Sequence, residues 1–281
     1  MTFQKPFLLL LLGILVAGCG QDQYAIERQY YRVQQQAKNI FTNPDATPPN
    51  ELATTVDALN EFMLKYPTSN IAVESQFTIA QLYVVTKAYD KAHEQLKKIK
   101  SAFDKVDVIG AEAVFMRGAA YEDEKNWAAA LEQYQAVIKS YPITPKGMET
   151  PYYIAMHYKS KLQPDKMMEA LREAIDHYKA LTAQYPGTPL ALRAQALIAQ
   201  CFVELKEPEN AISVLQAAAE AFKGKVPTDG MFLDIATIYY AQLKAADKAV
   251  AVLEKVIQGG PKTQAGEIAR RMIQKIKEEK K

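Results

Sequence analysis

"FMRGAAYEDEKNWAAALEQYQAVIKSYP", residues 115–142, decides the fold. Gly118 is followed three places later by Tyr121, and Ala130 by Tyr134 four places on and Val137 three further. Steps of three and four keep side chains on one face of a helix, so the stretch reads as two helices. The small residue lets them approach closely, and the aromatic fills the gap beside it. Pro142 closes the second helix, because proline lacks an N–H and disfavours helical backbone in the residue before it. Trp127 falls in the turn between the two. The unit is a helical hairpin.

The same frame recurs along the chain. Ala80/Tyr83, Ala155/Tyr158 and Ala199/Phe202 repeat the small–aromatic pair, and Thr237/Tyr240 continues it. Ala92/Leu96/Ile99, Ala174/Tyr178/Leu181, Ala211/Leu215/Ala218 and Ala249/Leu253/Val256 repeat the second-helix triplet. Pro67, Pro186 and Pro261 close further units. Five units are clear, and residues 24–67 supply a degenerate sixth, interrupted by the proline-rich TNPDATPPN at 42–50. The marker aromatics lie 38, 37, 44 and 38 residues apart. The long step carries seven extra residues around KSKLQPDKMMEALREA, two helical turns that lengthen a helix without rotating its face. At the end, Ala265, Ile268, Ala269, Met272, Ile273 and Ile276 form one apolar stripe on an otherwise charged segment, as expected of a terminal cap.

This frame resembles the tetratricopeptide repeat (TPR). The resemblance implies an all-α, right-handed superhelix (solenoid) of about five to six hairpins plus a C-terminal capping helix. The array would occupy residues 19–262 and the cap 263–281. It also implies a concave face lined by the first helix of each hairpin. Six places before the marker aromatics stand Phe77, Phe115 and Tyr152, and two places before them stand Gln81, Met156 and Gln200. These six residues are the candidate groove for other proteins or extended peptide segments. The competing reading is that the aromatics pack helix against helix. Glu74, Glu112 and Glu149 at the first-helix starts would repel a terminal carboxylate, which excludes the chaperone-tail subclass of the family.

The N-terminus says where the array works. Phe7 to Ala17 is an uncharged run of eleven residues behind Lys5. As a helix it would reach roughly 17 Å, short of a hydrocarbon core of roughly 30 Å. A basic start, a short apolar middle and small residues at its end make a secretory signal, residues 1–18. Val16-Ala17-Gly18-Cys19 resembles the lipobox of bacterial lipoproteins, which implies acyl chains (palmitate among them) on Cys19. Gly20 in place of aspartate resembles the pattern exported to the outer membrane, facing the periplasm. Three acyl chains exceed what stable anchoring takes.

Loss of residues 1–18 removes one lysine and leaves 33 basic against 32 acidic residues. That balance calls for neither nucleic acid nor an anionic surface. Cys201, in the apolar LIAQCFVEL, reads as a buried small hydrophobe. No HExxH, GxSxG, phosphate loop or CxxC occurs. His93, His157 and His177 have no paired ligand spacing, and the first and last are expected to be exposed. Glu122-Asp123-Glu124 reads as a solvated turn. No catalytic residue, metal or cofactor is expected.

The lipobox before the first helix, FMRG in the third unit, the enlarged hairpin after it and the YPTS and YPGT turns together resemble BamD, the D-subunit lipoprotein family of the β-barrel assembly machine. That implies a scaffold for outer-membrane protein assembly. The interruption at 42–50 and a longer C-terminal half depart from the family. The alternative is a TPR lipoprotein of another envelope complex, serving pilus assembly, polysaccharide export or constriction.

Overall fold

The computed structural model describes residues 20–67 and 69–279, so the signal segment and Cys19 lie outside the described residues. Among the described residues there are thirteen α-helices, one 3-10 turn and no strand. The chain divides into two compact units, Met1–Gln95 and Leu96–Lys281.

The first unit contains α1 (Gly20–Thr42), a 3-10 turn (Pro44–Ala46), α2 (Pro49–Lys65) and α3 (Asn70–Val85). Tyr30, Val33, Ala37 and Ile40 of α1 meet Val56, Leu59 and Phe62 of α2 and Ile79 and Leu82 of α3 in one core. Tyr30 packs edge-on against Phe62, ring centres 5.4 Å apart. Helix α4 (Tyr89–Ala102) runs across the boundary.

The second unit continues as α5 (Asp107–Asp123), α6 (Trp127–Ser140), α7 (Pro145–Ser160), α8 (Pro164–Gln184), α9 (Pro189–Glu204), α10 (Pro208–Ala221), α11 (Asp229–Ala241), α12 (Ala246–Gly259) and α13 (Gln264–Glu279). Each helix packs on the next, and α5 with α7, α7 with α9 and α11 with α13 also touch. The helices therefore form hairpins stacked with first helix beside first helix. Helix α8 has 21 residues where α6, α10 and α12 have 14. The seven extra residues extend that helix by two turns, and Leu171, Ala174, Tyr178 and Leu181 stay on its buried face. Trp127 is the first residue of α6 and not part of the turn, with Asn126 as the cap accepting from the Ala129 N–H at 3.2 Å.

Two small backbone devices set the frame. Within hairpins, Lys87, Lys125, Leu162, Lys206 and Lys244 have positive φ, each four residues after a marker aromatic. In the second of these turns the Lys125 N–H bonds the Glu122 carbonyl and the Asn126 N–H bonds the Tyr121 carbonyl at 2.9 Å. The first, third and fourth turns carry the same pair of bonds, a left-handed helix stop. Between hairpins, a hydroxyl closes the corner. Ser69, Thr144, Thr188 and Thr263 each donate to the carbonyl three residues back and accept from the N–H three residues on. The residue on that N–H must be small, and at Gly147 a Cβ would collide with the Tyr141 carbonyl.

Helix α7 carries Pro151 in its interior. Proline disturbs the helical ladder around it. The buried Tyr178 hydroxyl reaches across from α8 and donates to the Met148 carbonyl at 2.7 Å.

Candidate interaction face and the carboxylate cluster behind it

Helices α5, α7 and α9 are the first helices of three successive hairpins, and their contacts place them side by side. Phe115 on α5 is half-buried, 5.1 Å from the Tyr134 ring and 5.3 Å from the Tyr153 ring. The Lys146 ammonium sits 4.3 Å from its centre, a cation–π contact. Tyr152 and Met156 on α7 are half-buried, one turn apart, and Gln200 on α9 is exposed. The Tyr152 hydroxyl donates to Glu204 at 3.4 Å, with Gln200 also in hydrogen-bond reach. Burial and then Glu204 push that hydroxyl up to about 12. Phe115, Tyr152, Met156 and Gln200 thus fall on three neighbouring helices. In the first unit, Phe77 is half-buried on α3 and Gln81 is exposed one turn later.

Charges on this face are paired from helix to helix. Glu112 of α5 meets Lys146 of α7 at 3.7 Å, and Glu149 of α7 meets Arg193 of α9 at 3.0 Å. Lys159 of α7 meets Glu204 of α9 at 2.5 Å. Burial raises the Glu112 carboxyl, and Lys146 offsets part of that. The acidic row read from sequence as repelling a carboxylate is therefore neutralised at Glu112 and Glu149 by their cations. In the first unit, Glu74 accepts from the Gln34 amide.

Behind the face lies a cluster that the sequence reading placed in water. Glu122 is in the last turn of α5 with its side chain only 26% exposed. One carboxylate oxygen accepts from the Tyr134 hydroxyl at 3.0 Å and the Tyr153 hydroxyl at 2.8 Å. The other lies 2.7 Å from Nδ1 of the buried His157. An ionised carboxylate only accepts, so Nδ1 carries the hydrogen in that contact. The His157 ring stacks on Trp127 at 3.3 Å, and the Trp127 indole N–H donates to the Tyr158 hydroxyl at 3.3 Å. Burial, with Glu122 beside them, pushes the Tyr134 and Tyr153 hydroxyls far above the usual tyrosine range. The solvated-turn reading of Glu122 is corrected: its place in the last turn of α5 faces α6 and α7, whose donors converge on it. Nothing in the spacing of Glu122, Tyr134, Tyr153 and His157 announced this.

His93 and His177, expected on the exposed side of second helices, are both half-buried. Burial lowers the His177 imidazole. Cys201 is buried, as its apolar surroundings foretold, and burial pushes its thiol up to about 12. Among the described residues no cluster of three His, Cys, Asp or Glu side chains is placed to hold a metal. No helix among the described residues is long and apolar enough to cross a membrane.

Comparison with known proteins agrees with the repeat frame. Tetratricopeptide repeat family models match residues 112–142 and 169–226. Among solved structures, BtubC (BKLC) from P. vanneervenii aligns at TM-score 0.42 and 12% identity over 83% of this chain and 90% of that one. The C-terminal part of a TPR repeat-containing protein from Cytophaga hutchinsonii aligns at 0.41 and 18% identity, covering 80% of this chain and 78% of that one. A tetratricopeptide repeat protein from Parabacteroides merdae aligns at 0.34 and 13%, covering 89% and 99%. No curated protein matches the chain. Residues 112–142 and 169–226 thus carry tetratricopeptide repeat hairpins.

Proposed function

We propose that this protein is a lipid-anchored periplasmic TPR scaffold that holds other proteins during outer-membrane β-barrel assembly, in the manner of the BamD family. The observation that carries the scaffold reading is the side-by-side placement of α5, α7 and α9, with Tyr152, Met156 and Gln200 set among paired charges. Amphipathic tyrosine and flexible methionine suit a peptide-binding wall. The assembly role and the Cys19 anchor rest on the sequence signatures alone, VAGC and the enlarged fourth hairpin among them.

Affinity purification of the lipidated protein from its native membrane tests the pathway. Recovery of a large β-barrel protein supports the assembly role. Recovery of pilus, export or constriction components moves the scaffold to another envelope complex. Cys19→Ala tests the anchor, with loss of lipid mass and release from the membrane expected. Tyr152→Ala and Gln200→Ala should weaken capture by about 1–3 kcal/mol each while the fold survives. Phe115→Ala should instead lower stability by about 3 kcal/mol, because its ring packs against Tyr134 and Tyr153. Unchanged capture by the Tyr152 and Gln200 variants would remove this face from the proposal.

A further inference from the structure

Helix α1 has two opposed faces. Ile26, Tyr30, Val33, Ala37 and Ile40 form the stripe that enters the core. At 3.6 residues per turn, the line on the opposite side runs through Tyr24, Arg28, Tyr31, Gln35 and Lys38, all exposed but for the half-buried Gln35. Tyr24 is 68% exposed and Tyr31 60%, two rings about 10 Å apart along one line. Single exposed aromatics need no explanation, but two in register with cations do. That line carries Arg28 and Lys38 and no carboxylate, while Glu27 and Arg32 flank it on either side. The near-neutral charge of the whole chain conceals this local arrangement.

Its occupant follows from position in the chain. Helix α1 is already formed at Gly20, the residue after Cys19. If Cys19 carries the acyl chains proposed above, on which this inference rests, no linker separates the helix from the lipid headgroups. Tyrosine rings settle at the headgroup level, and arginine and lysine are drawn to anionic phosphates beside them. We propose that the Tyr24–Arg28–Tyr31–Lys38 line of α1 lies on an anionic glycerophospholipid surface, holding the helix parallel to it.

The test uses the mature chain with Cys19→Ser, which has no lipid of its own, mixed with phosphatidylglycerol/phosphatidylethanolamine vesicles or with phosphatidylcholine vesicles. The expected result is sedimentation with the anionic vesicles only, weakening as salt rises. Tyr24→Ala with Tyr31→Ala should lower the partition coefficient about tenfold, and Arg28→Glu with Lys38→Glu at least as far. Leu64→Ala, at an exposed position on α2, should leave binding unchanged, and circular dichroism checks that each variant is folded. No binding to anionic vesicles, or equal binding by all variants, overturns the proposal. So does loss of a captured protein by the tyrosine pair without any vesicle binding, which would assign the line to a protein. Failure of the anchor reading is separate: Cys19→Ala that keeps its mass and its membrane fraction in cells refutes lipidation and leaves the vesicle result readable.

Discussion

The layer between α5, α6 and α7 and the layer between α9, α10 and α11 occupy equivalent places in the repeat, two hairpins apart. In the first, Glu122, Tyr134, Tyr153 and His157 meet around one carboxylate. In the second, the equivalent places hold Val203, Leu215, Ile235 and Tyr239, all in one apolar cluster. The turns are the same, with Lys125 and Lys206 in the left-handed conformation. One backbone frame thus tolerates two different solutions for its interior. The apolar layer is stabilised by burial, and each lost methyl costs it by the cavity left at that place. The carboxylate layer is all-or-none, because a donor deprived of its acceptor stays buried without water.

Breaking the carboxylate layer should have the largest effect. Glu122→Ala strands two hydroxyls and an imidazole N–H, and we expect a loss of about 4 kcal/mol in denaturant unfolding. Glu122→Leu combined with Tyr134→Phe and Tyr153→Phe removes the acceptor and both hydroxyl donors, leaving only the His157 N–H without its acceptor, and should recover more than half of that loss. A triple variant as unstable as the single one would mean that the network contributes little and that Glu122 acts through packing.

Leu215→Ala in the apolar layer should cost about 3 kcal/mol through the cavity it leaves. That cost should be the same at pH 7 and pH 10.5. The carboxylate layer should respond to alkali instead. Tyr134 and Tyr153 hold their protons in the folded chain above the ordinary value of 10.0, so the unfolded chain releases them first. Their contribution is complete below about pH 10 and declines as pH rises through it, by up to about 1.4 kcal/mol per pH unit for each tyrosine. Tyr134→Phe should lose part of that slope. An unchanged slope would separate the two hydroxyls from the alkaline transition.

The smallest effect tests what the layers share. Lys125→Gly and Lys206→Gly both relieve a left-handed backbone position, and each should stabilise by about 0.5–1 kcal/mol. Equal gains at the two turns are expected, and a gain confined to one would show that the turns differ.

Much of this architecture was legible in the residues. The small–aromatic pair located each hairpin, and in four of the hairpins the same aromatic lies two places before the end of its helix and supplies the carbonyl that the stop bonds. The seven-residue excess became a two-turn extension of α8, since a seven-residue insertion nearly preserves a helix face. Local periodicity and turn chemistry act within one or two turns, so a single sequence records them. The TPR frame, the prolines that close second helices and the burial of Cys201 all belong to that class.

Only the tertiary structure decided the rest. Whether Glu122 met water or three converging donors depended on residues 12, 31 and 35 positions away. Pairing of Glu112 with Lys146 and of Glu149 with Arg193 likewise depended on how neighbouring first helices lie against each other. A half-exposed aromatic such as Tyr152 has the same sequence signature whether it packs or binds. Side chains that converge from different helices leave no periodic trace, because their spacing is set by the stacking of hairpins and not by the rise of any one helix.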